Sequence, residues 1–370
     1  IKGKTLHVTV PEHRLDIGVE AAGISDLVEE IARIYGFERI PETQISDTTP
    51  PQHSNLELET EEHVRNILVN LGLQEVITYR LSSPELEQRT LGNFPGDYVT
   101  LNNPIAPERA AMRRSLLASV LECAESNARF QDRLALFEIG PIYQPASTST
   151  VGTPPLPLEL RRLVVVLGGS QSALSWNGED HSPMDYFDLK GLVDALIDAA
   201  HLTDISVEPI EHASFRPGAT AALLLAGNPV GVFGELHPLV SAAFALTEYP
   251  VMAADFDLEA LLPALPEHHS TKPVPRFPAI VEDIALIVDK NTPANDVKAL
   301  ITQTGGKHLE RVQLFDVFHG AQLGAGKKSL AFRLDFQSHE RTLTDKEAAR
   351  LRNKIVKRLK QEIGAELRSA

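Results

Sequence analysis

The chain has 370 residues, of which 43% are hydrophobic and 23% are charged, and its formal net charge at pH 7 is −15. This composition excludes a disordered chain, and the length predicts about two to three domains. A single cysteine excludes an intramolecular disulfide framework, and no apolar run reaches the roughly 20 residues that span a bilayer. Without a signal-peptide pattern at its start, the sequence predicts a cytoplasmic protein that does not act in a membrane.

Charge is distributed unevenly along the chain. Residues 272–370 contain 18 Lys and Arg against 12 Asp and Glu, a balance of +6, which leaves −21 for residues 1–271. Because Lys and Arg release counterions from phosphates, the basic end is the candidate for binding nucleic acid. The alternative is a solvated helix face that has no partner.

The first predicted helix lies in the N-terminal segment, residues 1–45. Its pattern indicates an N-cap at Ser25, a helix over Asp26–Tyr35 and an end at Gly36, because glycine suits the left-handed conformation that ends many helices. The preceding residues Thr5–Val10 have the composition of a strand.

Acidic side chains crowd one side of this helix. Asp26, Glu29 and Glu30 have i, i+3 and i+4 spacing, and Asp16 lies upstream at the end of an extended segment. Such carboxylates repel one another unless a cation lies among them, and oxygen ligands without His or Cys are those that Mg²⁺ prefers. The alternative is a helix N-terminus that is rich in acids because of the helix dipole.

The middle segment, residues 55–262, mixes helical and extended patterns without regular βαβ units, which predicts an α+β fold with a largely antiparallel sheet. Helices are predicted over Glu57–Leu71, Ser115–Phe130 and Leu189–Ala200. Strands are predicted over Gln74–Leu81, Leu134–Ile139, Leu163–Leu167, Ala219–Leu225, Val230–Phe233 and Val251–Phe256.

Residues 263–275 form a predicted proline-rich linker, and residues 276–370 have a complete pattern of their own. Its strands and helices follow one another in the order βαββαβ, which is the ferredoxin-like order. A capping box at Thr344–Glu347 begins the last helix. The elements of this segment are a strand over Ile280–Val288, a helix from Pro293 to Thr304 with Thr292 as N-cap, strands over Val312–Phe318 and Ser329–Phe336, a helix ending at Gly364, and a last strand over Ala365–Leu367.

No self-contained active site is predicted. The stretch Gly320–Ser329 resembles a phosphate-binding loop, but its glycine-to-lysine spacing is wrong and it precedes a strand, so a hairpin turn is favoured. Metalloprotease and serine-hydrolase motifs do not occur in the sequence.

With these residues in view, the chain resembles the C-terminal half of the bacterial phenylalanyl-tRNA synthetase beta subunit. The resemblance covers nearly the whole chain. It is carried by four groups of blocks: Thr9–Ile17 with Asp26–Gly36; Leu71–Tyr79, Asn102–Ile105 and Met112–Leu117; Leu136–Gly140; and Phe277–Leu286, Leu314–Phe318 and Gly326–Phe332.

The resemblance implies a noncatalytic subunit of an α₂β₂ ligase, with a class II synthetase-like core and a ferredoxin-fold anticodon-binding domain. Phenylalanine and ATP would bind to the alpha subunit, and Mg²⁺ would be shared with alpha on Asp16, Asp26, Glu29 and Glu30. The run Gly18–Ser25 is longer than the family pattern. The segment 1–45 would be part of a metal-linked domain, and the family's N-terminal tRNA-binding and editing domains are missing, which predicts a fragment.

On the basic module, the candidates for contacting tRNA(Phe) share a positive charge; they are Arg276, Lys327, Lys328, Arg333 and Arg341. Phe315 and Phe318 are possible stacking partners for bases, or else core residues. Two other functions stay open. One is a magnesium-dependent phosphohydrolase that uses the four carboxylates, and the other is a standalone RNA-binding scaffold.

Overall fold

The computed structural model describes residues 3–368 except 45, 50, 52, 95, 146–155, 173–174, 177–180 and 272. The chain separates into two compact units, Ile1–Pro266 and Glu267–Ala370. In the part that is described, no helix combines the length and apolar character needed to cross a membrane. The domain boundaries given above stay predictions.

The larger unit has helices and strands in mixed order. Its helices are α1 Glu20–Tyr35, α2 Leu56–Asn70, α3 Pro84–Gln88, α4 Leu116–Asn127, α5 Tyr186–Ala199, α6 Pro238–Ala243 and α7 Leu258–Leu261. Its strands are β1 Gln74–Glu75, β2 Leu81–Ser82, β3 Ala111–Met112, β4 Arg133–Gln144, β5 Leu158–Gly169, β6 Ile205–Pro209, β7 Phe215–Leu225, β8 Asn228–Leu236 and β9 Val251–Asp257.

A seven-stranded sheet forms the centre of this unit, in the order β1-β4-β5-β9-β8-β7-β6. Every neighbouring pair is antiparallel except the short β1, which pairs with β4 in parallel. Both faces of β4 are buried, since Leu134 packs in the cluster on the α4 side while Phe137 packs in the cluster on the side of α2 and α5. The predicted α+β class with a largely antiparallel sheet is therefore confirmed.

The smaller unit consists of β10 Ile280–Asp289, α8 Ala294–Gly305, β11 Leu309–Phe318, β12 Lys327–Phe336, α9 Asp345–Ile363 and β13 Glu366–Leu367. Its antiparallel sheet has the order β11-β12-β10-β13, which is the arrangement of a ferredoxin-like fold. Alternate strand residues such as Ile284 and Phe332 pack against Val297 of α8 and Ile355 of α9. The helices thus cover one face of the sheet, and the predicted βαββαβ order is confirmed.

Local capping explains why α9 starts where the sequence predicts. Glu347 Oε2 accepts hydrogen bonds from the backbone N and the Oγ1 of Thr344, both at 2.9 Å, which completes the capping box. The helix ends at Gly364, whose φ of 65° is left-handed. A hairpin connection, rather than a phosphate-binding loop, joins β11 to β12.

Some predicted elements differ from the structure. Helix α1 begins at Glu20, and Ser25 lies inside it with its hydroxyl bonded to Ala21 O at 3.3 Å rather than capping its start. Thr5–Val10 has no extended ladder. The predicted strand Gln74–Leu81 is reduced to its two ends, which belong to β1 and β2, and the side chain of Thr78 between them donates to Glu138.

Pro293 is the N-cap of α8, one residue later than predicted, so Thr292 lies outside the helix.

Candidate functional site

The acidic cluster at α1 contains a guanidinium. Arg14 Nη2 lies 2.7 Å from Asp16 Oδ2 and 2.7 Å from Glu30 Oε1, and Arg14 Nε donates to Asp16 Oδ1 at 2.9 Å. Arg33 Nη1 donates to the same Glu30 oxygen at 2.9 Å. The hydrogen bonds from Arg14 lower the pKa of Asp16 to about 2 and also lower the pKa of Glu30. Both carboxylates therefore already have a positive partner.

In the ranges that the structure describes, the other two predicted magnesium ligands form no hydrogen bond or ion pair with Arg14. Asp26 Oδ2 accepts the backbone N–H of Gly18 at 2.7 Å, and Glu29 is exposed. Across the described residues, no group of three or more His, Cys, Asp or Glu side chains could hold a metal ion. The oxygens are of the kind that Mg²⁺ prefers, but those of Asp16 and Glu30 are bound to Arg14 in this structure. The magnesium site stays a prediction.

A buried ion pair joins Arg113 to Glu138 of β4 in the larger unit. Arg113 and Glu138 are 1% and 3% exposed, and Arg113 Nη1 lies 2.9 Å from Glu138 Oε1. Thr78 Oγ1 accepts from Arg113 at 2.8 Å and donates to Glu138 Oε2 at 2.7 Å, while Arg113 Nε donates to Pro141 O at 2.8 Å. A Cβ on Gly140 would lie 2.4 Å from Arg113 Nη2. The site is therefore filled by its own side chains.

Two further arginines of β5 are also bound by carboxylates. Arg162 donates to Asp255 Oδ1 from Nε at 2.9 Å and from Nη2 at 2.7 Å. Arg161 donates to Glu259 Oε1 at 2.9 Å and also pairs with Glu57. Arg113, Arg161 and Arg162 thus stabilise the fold through internal pairs.

The open face of the smaller sheet carries an aromatic ring beneath an arginine. Phe315 of β11 is 50% exposed, and the guanidinium carbon of Arg333 lies 5.4 Å from its ring centroid. Arg333 lies opposite Asp283 of β10 and donates to its two carboxylate oxygens at 3.0 and 3.1 Å. These hydrogen bonds lower the pKa of Asp283. The pairing fixes the guanidinium beside an exposed ring.

A second aromatic ring lies near the end of β11. Phe318 is partly buried, and the guanidinium carbon of Arg368 lies 5.1 Å from its centroid. Sequence reasoning missed Arg368. Its position beside Phe318 depends on the pairing of β13 with β10, next to which the backbone N–H of Arg368 donates to Ala285 O at 2.8 Å. A basic residue just after the last predicted strand was the available signal.

The remaining RNA candidates differ in how they are bound. Arg341 pairs with Glu347 at 2.6 Å, and Lys327 Nζ lies 3.8 Å from Glu366 Oε1. Arg276 is exposed and Lys328 is half-buried, and within the described part of the chain neither side chain forms a hydrogen bond or an ion pair. Arg276 is thus the candidate most open to a phosphate, whereas Lys328 lies opposite the buried Val288 on the face that the helices cover.

Helix α9 carries more basic residues on its outer side. Two of them are bound by carboxylates, Arg352 by Glu282 at 2.8 Å and Arg358 by Glu362 at 2.7 Å. The exposed cations for which the described residues provide no ion pair are Lys346, Arg350, Lys354, Lys357 and Lys360. The smaller unit therefore has two basic surfaces, one on the open sheet face and one on α9.

The sequence matches three family models in succession. They are the tRNA synthetase B5 domain over residues 1–37, the phenylalanyl tRNA synthetase beta chain CLM domain over residues 40–258, and the ferredoxin-fold anticodon binding domain over residues 275–368. The last of these coincides with most of the smaller unit.

Similar curated proteins are phenylalanine–tRNA ligase beta subunits. The chain is 37% identical over 366 residues to the one from Geobacillus kaustophilus, which is 98% of this chain and 44% of that protein. It is 35% identical over 373 residues to the one from Clostridium tetani, which is 100% of this chain and 44% of that protein. The chain therefore spans less than half the length of these relatives.

Proposed function

Because the chain belongs to the phenylalanyl-tRNA synthetase beta chain family, we propose that it supports the attachment of phenylalanine to tRNA(Phe) and binds the anticodon region of that tRNA. The names of the relatives and the anticodon-binding family model of the smaller unit support this proposal. The observation that carries it is the half-exposed Phe315 with Arg333 beside its ring on the open sheet face.

This face suits single-stranded RNA. Loop bases of RNA are unstacked and bind well to exposed aromatic rings or guanidinium planes. Phe315 and Arg333 offer both groups side by side, and Asp283 holds the guanidinium in place through two hydrogen bonds. We infer that a base of the anticodon loop stacks on this pair, and that Lys327, on the same face of β12 as Arg333, binds a neighbouring phosphate.

We also propose that the chain does not perform the chemistry itself. A site that activates an amino acid with ATP needs positive groups that are free to bind phosphates. Arg113, Arg161 and Arg162 instead bind Glu138, Glu259 and Asp255, respectively. An alpha subunit would therefore bind ATP and phenylalanine, and the complex would be an α₂β₂ assembly in the cytoplasm. We assign magnesium no role in this proposal, because Arg14 already pairs with Asp16 and Glu30.

A direct test uses a fluorescent hairpin RNA with the sequence of the tRNA(Phe) anticodon stem and loop. We expect the full chain to bind this hairpin, and we expect the same stem closed by a loop without unstacked bases to bind more weakly, because it cannot stack on Phe315. Equal binding of both hairpins, or no binding of either, would contradict the anticodon proposal.

The partner proposal has a separate test. Coexpression with a bacterial phenylalanyl-tRNA synthetase alpha subunit should yield a complex that charges tRNA(Phe), whereas the purified chain alone should form no phenylalanyl-adenylate from ATP and phenylalanine. Adenylate formation by this chain alone would contradict the noncatalytic assignment. No finding favours the phosphohydrolase or the standalone scaffold.

A further inference from the structure

The larger unit contains a cavity of about 170 Å³ on the α4 side of its sheet. Residues of five strands line it, namely Ile142, Arg162, Phe215, Val232 and Asp255. The rest of the lining consists of Thr90, Gly92, Asn93, Phe94, His212, Ser214 and residues 114–117. An apolar cavity of about 150 Å³ in another protein binds benzene, so this one has room for a six-membered ring. Ile142, Val232 and Phe215 provide apolar surface for such a ring.

Residues at the start of α4 line this cavity. Ser115 Oγ accepts the N–H of Ala118 at 3.2 Å, and the buried Glu87 accepts the N–H groups of Arg114 at 2.7 Å and Ser115 at 3.3 Å. The N–H groups of Leu116 and Leu117 have no acceptor among the described residues, although these residues are 0% and 3% exposed. Free N–H groups at a helix N-terminus favour an anion.

A buried hydroxyl group gives an independent indication of a ligand. Ser214 lines the cavity and is 2% exposed, yet in the described structure its Oγ makes no hydrogen bond. Because this hydroxyl group has no partner within the described protein and its residue lines the cavity, it can donate to a ligand there. The N–H of Ser214 donates to His212 Nδ1 at 3.2 Å, which places the proton of the neutral imidazole on Nε2 as one more donor beside the cavity.

The charged groups around the cavity limit which ligand it can take. Arg162 is already bound to Asp255 at 2.7 Å, and Arg114 donates to the backbone oxygens of Phe94 and Gly96 at 3.3 and 3.0 Å. The groups left for a ligand are therefore mostly neutral donors, which suit a single negative charge. The carboxylate of Glu87 offsets part of the dipole of α4, so binding should be weak.

We propose that this cavity binds a small aromatic carboxylate. Its carboxylate would accept hydrogen bonds from the N–H groups of Leu116 and Leu117 and from the hydroxyl group of Ser214. Its ring would pack against Ile142, Val232 and Phe215. The site lies wholly within the larger unit, and the proposal is independent of RNA binding by the smaller one.

Benzoate is the probe for this proposal, and the full chain is the protein to use. Ligand-detected NMR and calorimetry should show saturable binding at roughly millimolar concentration. Benzyl alcohol, which has the same ring without the charge, should bind at least about tenfold more weakly, because it cannot use the donors as a carboxylate does. Absence of saturable benzoate binding up to about 20 mM would overturn the proposal, and equal binding of the two probes would overturn the carboxylate class.

Two variants locate the site. Ser214→Ala should weaken benzoate binding about tenfold, since it removes one hydrogen bond to a charged acceptor, and Val232→Phe should abolish binding by filling the cavity. Ser206→Ala, on the exposed part of β6, is the matched control and should bind as the parent chain does. Circular dichroism would verify that each variant folds, and Ser214→Ala suffices if Val232→Phe does not fold. Unchanged binding in Ser214→Ala would overturn the assignment of the site.

Discussion

The two units use arginine differently. In the larger unit, Arg113, Arg161 and Arg162 are bound by carboxylates on or beside the central sheet. In the smaller unit, Arg333 is paired with Asp283 but lies on an exposed face, and Arg276 and Lys328 are without ion pairs in the part that is described. The difference shows that the count of positive charges does not identify a nucleic-acid surface. What identifies it is whether the charges remain accessible after folding.

The largest expected effect is the loss of the buried pair in the larger unit. Arg113→Met leaves the carboxylate of Glu138 buried without its partner, which should lower the free energy of unfolding by roughly 3–5 kcal/mol. Urea unfolding followed by circular dichroism measures this change. RNA binding by the smaller unit should be unaffected under conditions in which the variant is folded.

The double variant Arg113→Met with Glu138→Leu sharpens this test. It removes both charges, so it should recover at least half of the lost stability. Arg129→Met, at an exposed position on the same unit, is the control and should change stability by less than about 0.5 kcal/mol. A loss below about 1 kcal/mol in Arg113→Met would show that the pair does not support the fold.

A smaller loss is expected from Gly140→Ala. Its new Cβ would lie 2.4 Å from Arg113 Nη2 and 3.1 Å from Glu138 Oε1, so the pair must move. We expect a destabilisation of about 1–3 kcal/mol, as for other overpacked sites. The matched control is Gly191→Ala in α5, where the added Cβ meets no atom within 4 Å and should stabilise the helix by roughly 0.5–1 kcal/mol. Equal effects of the two substitutions would refute this steric argument.

For the smaller unit, Phe315→Ala should act on RNA binding rather than on stability. Loss of one stacked base costs about 1–3 kcal/mol of binding free energy, so the Kd for the anticodon hairpin should rise at least about fivefold. Because Phe315 is half exposed, the free energy of unfolding should change little. Val317→Ala, at another exposed position of β11, is the control. An unchanged Kd for Phe315→Ala would contradict the proposal that an RNA base stacks on Phe315.

The sequence predicts local features of both units well. The capping box of α9 and the ends of β10 both depend on neighbouring residues, and each lies close to where it was predicted. The fold class followed from the order of such elements. Arg333 was also predicted as an RNA candidate from its charge and its position in the basic segment.

Side-chain partners far apart in the sequence could not be predicted. Arg333 and Asp283 are 50 residues apart and their pairing depends on strand register, whereas Arg113 and Glu138 are 25 residues apart and meet because Arg113 packs against β4. The acidic residues near α1 were recognised from their spacing, but the position of Arg14 between Asp16 and Glu30 depends on how the preceding segment folds back. Sequence patterns identify the charged groups, whereas their pairing requires the tertiary structure.

A weaker effect concerns the pH dependence of the open sheet face. Hydrogen bonds from Arg333 hold the pKa of Asp283 below its usual value of 3.8. The pair therefore contributes stability above about pH 4, and this contribution is lost as pH falls through the lower pKa of the folded state. Arg333→Gln should return the pKa of Asp283 towards 3.8 in an NMR titration, whereas Arg311→Gln should not.

RNA binding extends the same titration. If a phosphate or base of the hairpin recruits Arg333 away from the carboxylate, the pKa of Asp283 should rise when RNA is added. If the pKa of Asp283 stays equally low in the complex, its pair with Arg333 remains intact, and Arg333 contacts RNA only by stacking through the flat face of its guanidinium.

The smallest expected effect is that of magnesium on the acidic cluster. Arg14 already binds Asp16 and Glu30, so up to about 10 mM Mg²⁺ should leave the thermal unfolding of the chain unchanged. In the Arg14→Gln variant, Mg²⁺ should raise the temperature of thermal unfolding. Arg39→Gln is the control, and Mg²⁺ should leave its unfolding temperature unchanged. If Mg²⁺ raises the unfolding temperature of the parent chain, and Asp26→Asn abolishes that rise, the magnesium site predicted from the sequence would be supported instead.

Salt dependence of hairpin binding tests most directly whether the open sheet face is the RNA-binding surface. We expect log Kd of the full chain to rise linearly with log salt concentration, and simultaneous substitution of Lys327 and Arg333, both on the open face of β12, with Gln to lower that slope by about 1–2. Lys354→Gln with Lys357→Gln on α9, and Lys190→Gln on the larger unit, should leave the slope unchanged. A slope that falls only in the α9 variant, or that is the same in all variants, would contradict the account.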